Sequence, residues 1–157
     1  MNILVMHSDG SYSVRPDSTL IREPKDFFLP DGCDGVEVHS CRWTRANKAG
    51  KAVGARFAGR YFDSLGTGLL IYCHGTDGSL SPFVDRTTFF TLEMTPADDE
   101  PATAQAIADA IVVITRLTSL RTGDIVVVED SAAERYTRGD VITFQASASS
   151  RFELSIR

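Results

Sequence analysis

The chain has 157 residues, 43% of them hydrophobic and 24% charged; this balance excludes disorder, collagen-like repeats and coiled coil, and the length suffices to bury roughly two thirds of the extended surface in one core. Sixteen Lys and Arg against twenty-one Asp and Glu leave a net charge of −5, which argues against a nucleic-acid partner. No run reaches the ~20 apolar residues of a bilayer span, so the expectation is one domain over 1–157 with no membrane partner.

Ile3 to Met6 reads as a buried strand, and Ser8-Asp9-Gly10-Ser11 as a turn into Tyr12-Ser13-Val14 before Pro16, an opening hairpin. Phe27-Phe28-Leu29 is an apolar run ended by Pro30-Asp31-Gly32. Val36, Val38, Ser40 and Arg42 alternate with Glu37, His39, Cys41 and Trp43, the pattern of a strand with two different faces. Asn47 to Gly54 reads as a turn, Ala55 to Ser64 as a short helix, and Gly66-Thr67-Gly68 opens the apolar segment Leu69 to Cys73. Thr87 to Met94 is rich in β-branched and aromatic residues and predicts another strand.

One long helix is well signalled over 101–118. Acidic Asp98, Asp99 and Glu100 precede it, Pro101 fits its first turn, and Ile107, Ile111, Ile114 and Leu117 recur at helical spacing. The last third predicts antiparallel strands: Leu120 to Asp124 turns into Ile125 to Val128, Arg138-Gly139-Asp140 turns into Val141 to Phe144, and Phe152 to Ile156 follows a short connection at Ser147 to Ser150. Asn2 to Met6 is too short and lacks the basic start of a signal peptide, and Cys33, Cys41 and Cys73 follow no disulfide framework. A cytoplasmic protein with free thiols is therefore expected.

Arg15-Pro16-Asp17-Ser18-Thr19-Leu20, Phe27-Phe28-Leu29-Pro30, Gly50-Lys51, Phe57 to Asp63, Gly66-x-Gly68, Gly75-Thr76-Asp77-Gly78-Ser79 and the turns at Gly123-Asp124 and Gly139-Asp140 follow one another over nearly the whole chain. In order and spacing they resemble the fumarylacetoacetate hydrolase family, in particular its short bacterial members and their isomerase, decarboxylase and acylpyruvase relatives. The resemblance implies a mainly β, α+β fold: a β-roll of mixed sheets with few helices, and a homodimer. It also implies metal-assisted chemistry on a diketo or 2-oxo acid, in which magnesium or manganese on oxygen ligands polarises a carbonyl and holds the enolate.

The family takes its carboxylates from a Glu-x-Glu strand and from an Asp after Gly-x-Gly. Counted without a gap, these positions hold His39, Cys41 and Leu70, and a two-residue slip aligns Glu37 and His39 instead. The segment carrying the family's His-x-x-Glu is reduced to Ser8 to Val14, the family lysine becomes His74, and a Gly-Thr-Pro becomes Glu129-Asp130-Ser131. His74 is then the catalytic candidate, Arg15 and Asp77 the substrate-binding candidates, and Glu37, His39 and Cys41 the ligands of any rearranged metal site.

His39-Ser40-Cys41 and Cys73-His74, with Cys33 nearby, are residue types that zinc prefers. Their spacing matches no zinc module, and buried packing is the favoured reading of such cysteines. A cysteine hydrolase built on Cys41 or Cys73 with His74 needs a geometry that sequence adjacency does not supply. Arg138-Gly139-Asp140 reads as a turn, and Trp43, the sole tryptophan, as a core or interface anchor. Two functions stand: a degenerate family member without cofactor that binds a small organic acid or a protein, and a hydrolase or isomerase of 2-oxo or diketo acids with a rearranged metal site.

Overall fold

The computed structural model describes residues 1–23, 25–81, 84–145, 147 and 151–157. In chain order the strands are β1 (Ile3–Met6), β2 (Tyr12–Arg15), β3 (Cys33–Arg45), β4 (Ser64–Gly75), β5 (Leu80–Ser81), β6 (Thr88–Phe90), β7 (Thr95–Pro96), β8 (Ile125–Thr137), β9 (Val141–Gln145) and β10 (Arg151–Ser155); the helices are α1 (Ala55–Ala58) and α2 (Pro101–Thr115). Apart from Ser147, the connection expected at Ser147 to Ser150 lies outside the described residues. Among the described residues no helix is long and apolar enough to cross a membrane.

One mixed sheet runs β2-β1-β8-β3-β4-β5, with β6 and β7 also paired to β4, and β9-β10 form a separate hairpin. The mainly β, roll-like α+β architecture implied by the resemblance is thus observed. The expectation of a wholly antiparallel last third is corrected, because β8 pairs antiparallel with β3 and parallel with β1, Ile3 opposite Ile125 through Met6 opposite Val128. β8 also runs on through Glu129-Asp130-Ser131 to Thr137 instead of stopping at Val128, and a register shift opposite His39 to Cys41 absorbs the irregularity.

Alternation along the strands sorts the core. On one face, Leu4, Leu65 and Val126 pack against Ile107, Ile111 and Ile114 of α2, while Val36, Val38, Leu69 and Ile71 pack against Ile142, Phe152, Leu154 and Ile156 of the β9-β10 hairpin and its C-terminal extension. The opposite face holds Ile3, Val5, Cys41, Trp43, Leu70, Tyr72, Ile125 and Val127. Trp43 is a core anchor whose indole N–H donates to the Thr67 carbonyl at 2.9 Å while its ring stacks on Phe90.

Three other boundaries differ from expectation. The helix ends at Thr115 because the chain then tightens into bonds from Arg116 N–H to Val113 O and from Leu117 N–H to Ile114 O, which turn Leu117 out to 72% exposure. The Thr87 to Met94 strand shrinks to Thr88–Phe90, since the Thr91 hydroxyl bonds the Thr67 and Glu93 carbonyls and the chain leaves β4, with Leu92 at 99% exposure. The helix expected from Ala55 to Ser64 is the short α1 and one 3₁₀ turn, Gly59–Tyr61. At the two Gly-Asp turns, Gly123 and Gly139 adopt φ of 90° and 96°, and the following aspartates accept backbone N–H groups, Asp124 those of Asn2 and Arg121, and Asp140 that of Thr137.

Candidate functional site

Residues with acid, base or hydroxyl chemistry gather on the face opposite α2. Ser13 and Arg15 of β2, Glu37, His39 and Cys41 of β3, and Leu70 and Tyr72 of β4 project from that face with Val5 and Val127. His7 follows the end of β1, and Glu129 lies one residue beyond the Met6–Val128 pair on β8, so the parallel ladder sets the two side by side. His7, Ser13, Glu37, His39, Tyr72 and Glu129 line a cavity of about 340 Å³.

Glu129 is the centre of this group. It is buried, accepts the Tyr72 hydroxyl, lies 3.1 Å from His7 Nδ1 through Oε2, and stands 3.8 Å from His39 Nδ1 through Oε1. Burial opposes its charge, yet the His7 and Tyr72 hydrogen bonds and the His39 charge outweigh it and hold the carboxyl below its ordinary 4.5. Burial pushes the Tyr72 phenol up, which keeps it protonated and a donor. The imidazole of His7 also meets Ser13 Oγ at 2.8 Å through Nε2.

His39 lies between two acceptors, the Asp130 carbonyl at 3.0 Å from Nδ1 and Glu37 Oε1 at 2.8 Å from Nε2. Only with hydrogen on both ring nitrogens does His39 satisfy both, so this setting favours the imidazolium. Burial works against that charge, but the Asp130 carbonyl, Glu37 and Glu129 raise its pKa above 6.5. The β8 register shift is what turns the Asp130 carbonyl toward the ring, a familiar use of irregular strands beside sites.

Of the residues singled out from the sequence, Glu37 and His39 enter this cavity and the others do not. Arg15 is fully buried behind it, with its guanidinium 4.5 Å from the Tyr72 ring centre and donating to the Thr87 and Ile71 carbonyls and the Thr88 hydroxyl at 2.9, 3.1 and 3.0 Å. It shapes the wall and has no path to a ligand. His74 sits at the far end of β4 against Asp34, 3.3 Å away, and Asp77 is spent on its own turn, where its carboxylate accepts the Ser79 N–H and hydroxyl. Cys41 is buried in the core, where desolvation pushes its thiol up. Cys33, Cys41 and Cys73 are all free.

Nothing local in the sequence assigns a role to His7, Tyr72 or Glu129. Glu129 was visible only as a departure from Gly-Thr-Pro, and His7 only as the residue two beyond Val5, a face-sharing position that gains meaning once β1 is paired with β8.

The hard-cation positions implied by the resemblance do not fit such an ion here. Leu70 stands directly opposite His39, is fully buried and offers no ligand, Cys41 offers a soft sulfur where a hard cation needs oxygen, and the Arg15 guanidinium interacts electrostatically with both Cys41 and Glu129. Among the described residues no three His, Cys, Asp or Glu side chains converge as a metal requires. A larger cavity of about 740 Å³, lined by Trp43, Phe89, Phe90 and Leu92 with Arg22, Arg45 and Glu93, lies at the other end of β3; it lacks histidine, and the clustered acid–base groups make the smaller one the candidate site.

No family model matches the sequence, and no curated protein matches it. The fold is nevertheless shared with solved structures. It superposes over 99% of its length on maleylpyruvate hydrolase from Sphingobium, with a TM-score of 0.75, 15% identity and 69% of that chain covered. It matches a fumarylacetoacetate hydrolase family protein from Yersinia pestis over 99% of its length, with TM-score 0.74, 12% identity and 92% of that chain covered. It also matches fumarylpyruvate hydrolase from Pseudomonas aeruginosa, solved in complex with Mn2+ and pyruvate, over 99% of its length, with TM-score 0.70, 10% identity and 89% of that chain covered. With a mixed sheet, few helices and these structural neighbours, the chain has the fold of the fumarylacetoacetate hydrolase family.

Proposed function

We propose that this protein keeps the fumarylacetoacetate-hydrolase fold without its divalent-metal chemistry, and that the cavity at Glu129 binds a small polar molecule through His7, Glu37 and His39. The observation that carries the reading is the pairing of buried Leu70 with His39 beside the Cys41 thiol, the positions to which the resemblance, counted without a gap, assigns carboxylates. A cation needing six or more oxygens finds too few there. The proposal includes a homodimer, as the resemblance implies, a single domain, and a cytoplasmic location.

The test has two arms on the purified protein. Magnesium, manganese or zinc at millimolar concentration should leave the Tm unchanged, whereas a site held at a hundred times its Kd would add about 2.7 kcal/mol. Acylpyruvates and oxaloacetate should show no turnover with any of the three metals. Metal-dependent turnover that is lost in His39→Ala would replace this reading with a hydrolase or isomerase using a rearranged site on Glu37 and His39.

A further inference from the structure

The same cavity holds a constellation that the metal question leaves untouched. Ser13, His7 and Glu129 come from three adjacent strands or their ends, in the order β2-β1-β8. Ser13 Oγ meets His7 Nε2 at 2.8 Å, and His7 Nδ1 meets Glu129 Oε2 at 3.1 Å. The register explains why. Ser13 pairs with Val5, whose face-sharing neighbour is His7, and the β1-β8 ladder carries His7 level with Glu129. Glu129 is fixed in turn by the Tyr72 hydroxyl, so the base is oriented by an acid that is itself oriented. Ser13 is half-buried on the edge strand and lines the cavity.

We infer that Ser13, His7 and Glu129 form a nucleophile, base and orienting acid that hydrolyse esters of small uncharged carboxylic acids. The inference rests on the reading of this cavity as a small-molecule site. Size and charge select the substrate class. About 340 Å³ admits a short acyl group against Leu80, and on the lining the carboxylates of Asp9, Glu37 and Glu129 outnumber the His39 charge paired with Glu37, which disfavours an anionic one.

The steps balance without a metal. Ser13 Oγ attacks the ester carbonyl carbon while its proton passes to His7 Nε2, and the Nδ1–H of His7 donates to Glu129. The tetrahedral adduct collapses with cleavage of the ester C–O bond, and the departing alkoxide takes the proton from Nε2 to leave as the alcohol. Water then attacks the acyl-serine, giving a proton to Nε2; the acyl C–O bond to Ser13 breaks, the carboxylic acid departs, and Ser13 Oγ recovers its proton.

The full chain is treated with an alkyl fluorophosphonate, with and without EDTA, and the adduct is mapped by mass spectrometry; p-nitrophenyl acetate and butyrate hydrolysis is followed in parallel. The expected result is one phosphonyl group on Ser13, indifferent to EDTA, absent in Ser13→Ala, and formed roughly 10²- to 10⁴-fold more slowly in His7→Ala, the range of a lost general base. p-Nitrophenyl ester hydrolysis should fall with the labelling in both variants. If Ser13→Ala fails to fold, the mapped adduct on the unaltered chain decides alone. No adduct on Ser13 of the folded protein, or labelling that persists in Ser13→Ala, overturns the inference. An absent adduct with no response to metals sinks this inference and leaves the metal-free reading standing, whereas an absent adduct with metal-dependent turnover sinks both.

Discussion

Replacing Glu129 by Gln keeps the shape of the side chain and removes its charge. At 3.8 Å from the His39 ring, two unit charges attract by about 4 kcal/mol at an effective dielectric near 20. Two charge-assisted hydrogen bonds, from Tyr72 and His7, are weakened as well. Burying an amide in place of a carboxylate recovers part of this, so a net loss of about 2–3 kcal/mol is expected, or roughly 5–10 °C in Tm for a domain of this size. The pH dependence is more telling than the magnitude. The carboxyl of Glu129 titrates below its ordinary 4.5 in the fold, so its contribution is fully present above 4.5 and is lost as pH falls through the lowered value. His39 has a raised pKa, so its contribution is complete below 6.5 and is lost as pH rises through the raised value. The stability difference between wild type and Glu129→Gln should therefore be largest between about 4.5 and 6.5 and shrink on both sides. Urea unfolding of both proteins from pH 3 to pH 9 measures it. A difference that is flat with pH, or below about 0.5 kcal/mol at pH 6, would refute the charge network drawn around Glu129.

Arg15→Met should cost about 3–5 kcal/mol by urea unfolding, because it leaves the buried Thr87 and Ile71 carbonyls without their guanidinium donor, and Arg15→Lys should restore only part of this because one ammonium lacks the fork. Ile111→Ala should lower stability by about 2–5 kcal/mol, while Leu117→Ala, six residues on and 72% exposed, should stay within about 0.5 kcal/mol; equal effects would mean that α2 continues past Thr115. Gly68→Ala should destabilise by at least about 2 kcal/mol in thermal melts, since a Cβ there collides with the Phe89 carbonyl across the β4-β6 pair and presses on Cys41 Sγ. A Tm unchanged by that substitution would show that the two strands are free to part.

The strands, the helix and the turns were legible because each is encoded locally. Alternation from Val36 to Trp43 gave β3 and its two faces, isoleucines at helical spacing gave α2, and Gly-Asp pairs marked left-handed turns. The helix end and the shortened β6 were not legible, since single hydroxyls and 3₁₀ bonds decide them against propensity. The site was half legible. Glu37 and His39 share a face through period two alone, whereas His7 and Glu129 are 122 residues apart and meet only through a parallel pairing that no local pattern announces. Cys41 and His74 are reactive residue types near the implied site strands, and what adjacency in sequence does not show is that one lies in the core and the other at the sheet end.

The charge balance of this face explains how its ionic groups hang together with leucine at 70 and cysteine at 41. Arg15 brings a permanent positive charge, and its burial is offset by the carbonyls and hydroxyl that its terminal nitrogens meet and by the Tyr72 ring, while its Nε finds no partner among the described residues. His39 adds a second positive charge, held by Glu37 and the Asp130 carbonyl. Glu37 and Glu129 supply two negative charges against them, so the set is close to neutral with no further ion. On the proposed reading, a divalent cation placed among these groups would meet the imidazolium and the guanidinium before it met enough oxygen, and the carboxylate on β8 would lose its hydrogen bonds to serve it. Glu129 is then better placed to hold His7 in one orientation toward Ser13 than to ligate a metal, which is the geometry the fluorophosphonate experiment interrogates.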